Sequence, residues 1–387
     1  MAPPCHWHLI TGEYPPDVGG VSDYTRALAE GLADRGCDVH VWCPTAAGES
    51  PHHAGVTVHA VAGSWTRPDL RRLDAQLDAT PAPRRLLVQW VPHAFGRRSL
   101  NVAFCAWVRS RGRRGDRVDL IVHEAFLGFG EGSWRQDAAA AVHRLMVTLL
   151  LQVTTTAWVT IPAWAASLRR YTWGRHVRFC WLPVPSSVPV DDHHADVQEV
   201  RSRFDRDALV IGHFGTYNVQ SRRDLTTILP KLLDRHPSAA VLLLGRDSDG
   251  CREAVISRHP QHAGRIIATG ALDPRTLSHA LQACDVMAQP YSDGASTRRT
   301  TLMAALAHGL PTVTTIGRLS DKTWTQADAV VGVPVGNPEA FVDAVGDLMA
   351  DPGRRAQLGE RARQLYATRF DGAHTISALL ADTCEVV

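Results

Sequence analysis

Two successive series of short apolar segments, each alternating with helix-length stretches, constrain this chain more than any other feature of its sequence. In the first series His6-Trp-His-Leu-Ile is strand-like, and a glycine-rich turn leads into Val21, Tyr24, Leu28 and Leu32 at helical spacing. Gly36 closes that helix and Asp38-Val-His-Val-Trp-Cys resumes as a strand, completing one βαβ unit before residue 45. Further strands are expected at 86–90, 120–123 and 157–161. Trp181-Leu-Pro-Val-Pro-Ser-Ser-Val-Pro then places three prolines within seven residues, which resists both helix and central strand. Beyond it the alternation restarts, with strands expected at 208–213, 239–244, 265–268, 286–289, 312–314 and 330–335. This pattern predicts an α/β fold with parallel sheets. At 387 residues the chain exceeds one hydrophobic core, so two domains are expected: 1–185 and 205–370, joined by a Pro-rich linker at 186–204, with a helix at 371–387 packing back.

Bulk properties remove several functional classes. A formal net charge of +2 gives no basis for a nucleic-acid partner. The most apolar passage, 145–168, is broken by Gln152, threonines and Pro162, which argues against a spanning helix. No basic segment followed by an apolar stretch opens the chain, so a cytoplasmic location is expected. The eight cysteines (5, 37, 43, 105, 180, 251, 284 and 384) are scattered without a CxxC pair and read as buried thiols. His52-His53 and His193-His194 lack a partner at ligand spacing, and Asp205-Arg-Asp207 and Asp247-Ser-Asp249 read as surface turns. No metal and no cofactor are expected.

Two constellations carry candidate chemistry. Gly19-Gly20-Val21 lies where the first strand gives way to a helix, so its backbone can approach an anion closely; a tight turn explains the same glycines equally well. The second is Gln289-Pro-Tyr-Ser-Asp-Gly-Ala-Ser-Thr-Arg-Arg-Thr-Thr, which runs from a strand through a small-residue loop into an apolar helix ending at Gly309. Ser296, Thr297, Arg298, Arg299 and Thr300 therefore gather at a helix N-terminus, where hydroxyls, free amides and two guanidinium groups suit a diphosphate. A capped helix with two solvated arginines is the plainer alternative.

Nearly the whole chain resembles the retaining glycosyltransferases of family 4, which have the GT-B fold. The resemblance rests on Tyr14-Pro-Pro-Asp-Val-Gly-Gly-Val with Tyr24, then His213-Phe-Gly, Leu242-Leu-Leu-Gly-Arg, Thr269-Gly-Ala-Leu, Ala283-Cys-Asp-Val and Gly309-Leu-Pro-Thr-Val-Thr-Thr, in that order and spacing. It implies two Rossmann-like domains facing across a cleft, the first holding the acceptor and the second a nucleotide sugar. It also implies that Gly270, Ala271 and Leu272 meet the base, while Gly19 and Gly20 face the donor phosphates. Two departures stand out. The family's paired glutamates are absent, since aligning on the helix before Gly309 puts Ser296 and Ala304 in their places, whereas aligning on Asp293-Gly294 keeps one acid. The family's Arg and Lys after the first strand of the second domain correspond to Thr216 and to Ser221 or Arg222, so the cationic role is expected at Arg298 and Arg299.

Breaking a glycosyl-phosphate bond leaves a diphosphate anion, and stabilising it is the main catalytic task. The resemblance implies that the donor phosphate itself takes the acceptor proton, so no dedicated base is required. His123-Glu124 ends the 120–123 strand, where Glu124 could orient His123 beside the transferring sugar; a structural histidine is the alternative. Tyr14, Tyr24, His93 and Phe95 are expected on the acceptor side. Expected partners are a nucleotide-sugar donor and a small-molecule, lipid-linked or polysaccharide acceptor. Membrane contact would be peripheral at most, through the Arg-rich 109–117 loop, and the chain a monomer or weak homodimer. A nucleotide-sugar epimerase and a non-catalytic sugar-nucleotide binder are the rival functions.

Overall fold

A computed structural model describes residues 6–17, 19–44, 52–60, 63–96, 99–130, 132–382 and 385–387. Val18, Cys5 and Cys384 lie outside the described residues. The chain divides into two units, 1–183 with 372–387, and 184–371.

The first unit is built on strands β1 (His6–Ile10), β2 (Asp38–Cys43), β3 (Val56–Ala60), β4 (Arg85–Trp90), β5 (Arg117–Val122), β6 (Thr154–Val159) and β7 (Arg178–Trp181). The second carries β8 (Leu209–Phe214), β9 (Ala239–Leu244), β10 (Ile266–Ala268), β11 (Val286–Gln289), β12 (Thr312–Ile316) and β13 (Val331–Pro334). A last strand, β14 (Glu385–Val386), returns to the first sheet, whose order is β14-β7-β6-β5-β4-β1-β2-β3. All its pairings are parallel except β14 against β7. The second sheet, β10-β9-β8-β11-β12-β13, is wholly parallel. In each, the first strand of the unit sits between strands that follow it in opposite directions: β1 between β2 and β4, β8 between β9 and β11. Ligands of open α/β sheets bind at such a switch point, beyond the carboxyl ends of the strands.

Burial follows the architecture. Strands covered on both faces read as unbroken apolar runs, as in Ala239–Leu244, where every residue is buried. The loops leaving neighbouring strands touch at three places that only glycine allows. A Cβ on Gly12 would lie 2.3 Å from the Ala94 carbonyl, one on Gly245 2.3 Å from that of Gly215, and one on Gly294 2.3 Å from the Gly317 nitrogen.

The segment expected to be a linker, 186–204, is instead part of the second unit. Val188 joins its core, Ser278 Oγ bonds the Asp191 amide at 3.0 Å, and His194–Arg201 is helical. Prolines rule out regular pairing but not packing. The closing helix Gly372–Ala381 belongs to the first unit, where Asp382 accepts from Arg117 at 2.9 Å and pairs with Arg178. The 109–117 stretch is not a basic loop, because 109–113 end the Val102–Arg113 helix. Arg111, 1% exposed, bonds Asp116 at 2.5 Å and Asp74 at 3.1 Å, and Arg114 also pairs with Asp74. Cys180 is disulfide-bonded rather than a thiol, while Cys37, Cys43, Cys105, Cys251 and Cys284 are free and buried. No helix among the described residues is long and apolar enough to cross a membrane.

Candidate functional site

In the first unit the switch point lies between the loops after β1 and β4. The turn after β1 leads to Gly19, the N-cap of the Gly20–Ala33 helix. The amides one turn in are already occupied: Glu13 Oε1 accepts from Val21 N at 3.1 Å and from Ser22 N at 3.0 Å. A chain carboxylate therefore sits where the sequence reading placed a donor phosphate, and it neutralises the helix end. Gly19 is small for the same reason, since a Cβ there would fall 2.4 Å from Glu13 Oε1. Gly20 has open space around it. Glu13 was not found from sequence because no local rule pairs a residue with amides eight and nine positions on; the turn brings them together.

His123, which follows β5, is 8% exposed and its burial lowers its pKa to about 4, so the ring is neutral at physiological pH. Its Nε2 lies 2.8 Å from Gln89 Oε1, which places the proton on Nε2 and leaves Nδ1 as an acceptor. Tyr24 packs edge-on against the ring at 5.0 Å. Glu124 does not orient His123; it lies 3.6 Å from Nδ1 of the exposed His93. The orienting group is Gln89 on the adjacent strand, reached through sheet register and invisible to sequence spacing. Phe95 is not an acceptor contact: it is fully buried, stacked 4.1 Å from Phe104 and edge-on to Trp65 at 5.1 Å. Tyr14 is also buried, which pushes its hydroxyl up to about 12.

In the second unit the switch point lies between β8 and β11. After β8 come Gly215 and the exposed Thr216, then Tyr217 in left-handed conformation, its hydroxyl donating to the His213 and Leu244 carbonyls at 2.9 and 3.1 Å. That one side chain ties the β8 loop to the β9 loop. Arg222 donates from Nε to the Tyr217 carbonyl at 2.8 Å and lies over Gly250 in the Ser248–Ile256 helix. Gly270, at φ +66, is held by Ser248 Oγ on its amide at 2.8 Å; Ala271 is exposed and Leu272 packs on the core.

After β11, Asp293 binds both candidate arginines: Arg298 Nη2 to Oδ2 at 2.7 Å, and Arg299 Nη2 to Oδ1. Burial pushes the Asp293 carboxyl up, but Arg299 and Arg298 outweigh it and hold the group below the usual carboxylate value. Among the described residues, both guanidinium groups thus meet one carboxylate at the N-terminus of the Thr300–Ala307 helix. Arg299 also lies 4.8 Å over the Tyr291 ring, whose hydroxyl bonds Thr301 at 2.8 Å. The arginines are thus not solvated, and the acid expected at Asp293 is their counter-ion. Ser296 and Thr297 are fully buried, so their side chains lie beneath the exposed rim rather than on it, while Thr300 is half-buried. Among the described residues no group of three His, Cys, Asp or Glu could hold a metal ion, and Asp247 is the left-handed N-cap of the Ser248–Ile256 helix.

Residues 205–351 match the family described as glycosyl transferases group 1, and residues 19–185 the glycosyl transferase 4-like domain. The chain belongs to the group 1, family 4 glycosyltransferases of GT-B fold. This glycosyltransferase is 24% identical over 394 aligned positions to phosphatidyl-myo-inositol mannosyltransferase of Mycolicibacterium smegmatis, covering 97% of this chain and 92% of that one. Its structure is similar to sucrose-phosphate synthase from Thermosynechococcus elongatus, at TM-score 0.74 and 19% identity over 98% of both chains. It is also similar to Anabaena HepE in complex with UDP and glucose, at TM-score 0.68 and 16% identity over 97% and 98% of the two chains. At such identities the structural likeness speaks for the fold alone, two Rossmann-like domains with parallel sheets.

Proposed function

We propose that this glycosyltransferase moves a sugar from a nucleoside-diphosphate donor to a hydroxyl of a metabolite, lipid carrier or polysaccharide, with retention and without a metal. The observation that carries the donor assignment is the Asp293, Arg298, Arg299 cluster at a helix N-terminus beside the β8–β11 switch point. Its two guanidinium groups suit the diphosphate that develops as the glycosyl bond breaks. An arriving diphosphate competes with Asp293 for the guanidinium groups, so the ion pair pre-orients them while weakening ground-state binding. Gly270, Ala271 and Leu272 follow β10, Thr216 follows β8 and Arg222 lies in the first turn of the Val219–Arg235 helix, and together they take the nucleotide. In the first unit the neutral His123 Nδ1 accepts a hydrogen bond from a sugar hydroxyl and His93 stands with it on the acceptor side, while Tyr24, itself buried, packs edge-on against the His123 ring instead of meeting the acceptor. The donor phosphate receives the acceptor proton, so no carboxylate base is invoked. The protein acts in the cytoplasm, as a monomer or weak homodimer, with no nucleic-acid partner and at most peripheral membrane contact.

The test is calorimetric titration with UDP, GDP, ADP and TDP and their sugar conjugates in metal-free buffer, beside an Arg298→Ala/Arg299→Ala variant. Each lost charge-assisted bond is worth about 1.5–3 kcal/mol, so the variant should bind the preferred diphosphate at least tenfold more weakly. Undiminished binding in a folded variant would remove the arginines from the donor site. Turnover of a nucleotide sugar without acceptor would favour an epimerase.

A further inference from the structure

The second unit also holds a cavity of about 410 Å³, none of whose lining residues belongs to the donor set described above. It opens beyond the carboxyl ends of β11, β12 and β13, beside the first turns of the Val219–Arg235 and Pro338–Ala350 helices. Its volume lies within the range of about 300–1,000 Å³ typical of small-molecule sites. Ile228, Pro290, Pro338 and Phe341 make the apolar part of its lining, and Gln220, Arg223, Asp224 and Asn337 the polar part.

Asn337 Oδ1 caps the Pro338–Ala350 helix, accepting from the Ala340 amide at 3.1 Å, so the charged and amide groups left toward the cavity are those of Gln220, Arg223 and Asp224. Gln220 Nε2 donates to Asp224 Oδ1 at 2.9 Å, and Oδ2 has no protein donor among the described residues. Burial pushes the Asp224 carboxyl up, so hydrogen-bond donors from a ligand would stabilise its charged form. Arg223 is exposed and forms no ion pair among the described residues. A free anion is disfavoured by Asp224, and a purely apolar ligand would strand both charges. A pyranose answers both halves of the site: its C–H face covers apolar surface, while its ring of hydroxyls meets planar carboxylate, amide and guanidinium groups in pairs.

We propose that this cavity is a second carbohydrate site that takes a neutral pyranose unit. The wall formed by Pro290, Tyr291 and Ser292 runs directly into Asp293, and Tyr291 is pinned by Thr315 Oγ1 on its amide at 2.7 Å. An occupant therefore braces the segment that carries Arg298 and Arg299.

Saturation-transfer NMR on the full chain tests this, using methyl pyranosides of glucose, galactose, mannose and N-acetylglucosamine, and their disaccharides, without nucleotide. Asp224→Ala removes the acceptor and Thr227→Trp fills the cavity from an exposed position. We expect a signal from at least one pyranoside, reduced at least fivefold by both variants, with nucleotide-diphosphate affinity within twofold of the parent in each. No signal from any sugar, a signal unchanged in both variants, displacement by a nucleoside diphosphate, or binding restricted to sugar phosphates would overturn the proposal. Nucleotide affinity is read separately, so failure here and failure of the donor assignment remain distinct.

Discussion

Removing the Glu13 carboxylate should destabilise the first unit and, at the same time, make Gly19 dispensable. Glu13 Oε1 accepts two amide hydrogen bonds, at 3.1 and 3.0 Å, from the first turn of the Gly20–Ala33 helix. Losing a capping acceptor costs about 0.5–2 kcal/mol, and losing a negative charge at that end a further 0.3–1 kcal/mol or so. Glu13→Ala should therefore cost about 1–3 kcal/mol, and Glu13→Gln, which keeps an acceptor, about 0.3–1 kcal/mol. Gly19 has φ −169, an extended conformation open to any residue, so its substitution carries no backbone penalty. In the parent, however, a Cβ would lie 2.4 Å from Glu13 Oε1 and drive the carboxylate off the amides. Gly19→Ala should thus cost nearly as much as Glu13→Ala in the parent and almost nothing once Glu13 is alanine. Urea denaturation of the four proteins, followed by circular dichroism, measures the coupling, expected at about 1 kcal/mol or more. Additivity within about 0.3 kcal/mol would refute the carboxylate as the reason for the glycine and return Gly19 to ligand approach.

Acid should weaken both units. His123 and His213 are buried with pKa values lowered to about 4, so the unfolded chain takes up protons first. Their stabilisation is complete above the ordinary histidine value near 6.5 and is lost as pH falls toward 4, at about 1.4 kcal/mol per pH unit each. Between pH 7 and pH 5 each should cost about 2 kcal/mol, and a thermal midpoint independent of pH in that window would contradict their burial as neutral rings. Arg111→Ala should cost about 1.5–3 kcal/mol, since Asp74, Asp78 and Asp116 lose their shared, buried cation but keep Arg114 or Arg84; a loss below about 0.5 kcal/mol by chemical denaturation would count against it. Phe95→Ala should lower stability by about 3–5 kcal/mol, as for a core aromatic, and a change confined to acceptor KM would instead restore it to the acceptor side.

The order of strands and helices was written in the sequence because strands covered on both faces must be apolar and must be punctuated by turns. Most of the expected strands, such as 239–244 and 286–289, therefore coincide with the structure. Three were not anticipated, for separate reasons. Val56–Ala60 is an edge strand with no fully buried residue, and Arg178–Trp181 is four residues leading into a proline run. Glu385–Val386 is a two-residue return that only the first sheet defines. The turn glycines and the Arg298-Arg299 pair were legible because residue type alone fixes where a backbone can approach an anion and where charge resides. Their meaning was not, since it depends on what stands opposite. Glu13 reaches back over the Gly19 turn, Gln89 meets His123 across a strand pair, and Asp293 ties two arginines that local pattern assigned to a diphosphate, with solvent as the alternative. Hydrogen bonds and ion pairs act over about 3 Å, and only tertiary packing decides which residues far apart in sequence come within that distance. The sequence alone thus determined the two α/β units and the strand ends from which a site could be built; the tertiary structure decided which of those polar groups are held by the protein itself.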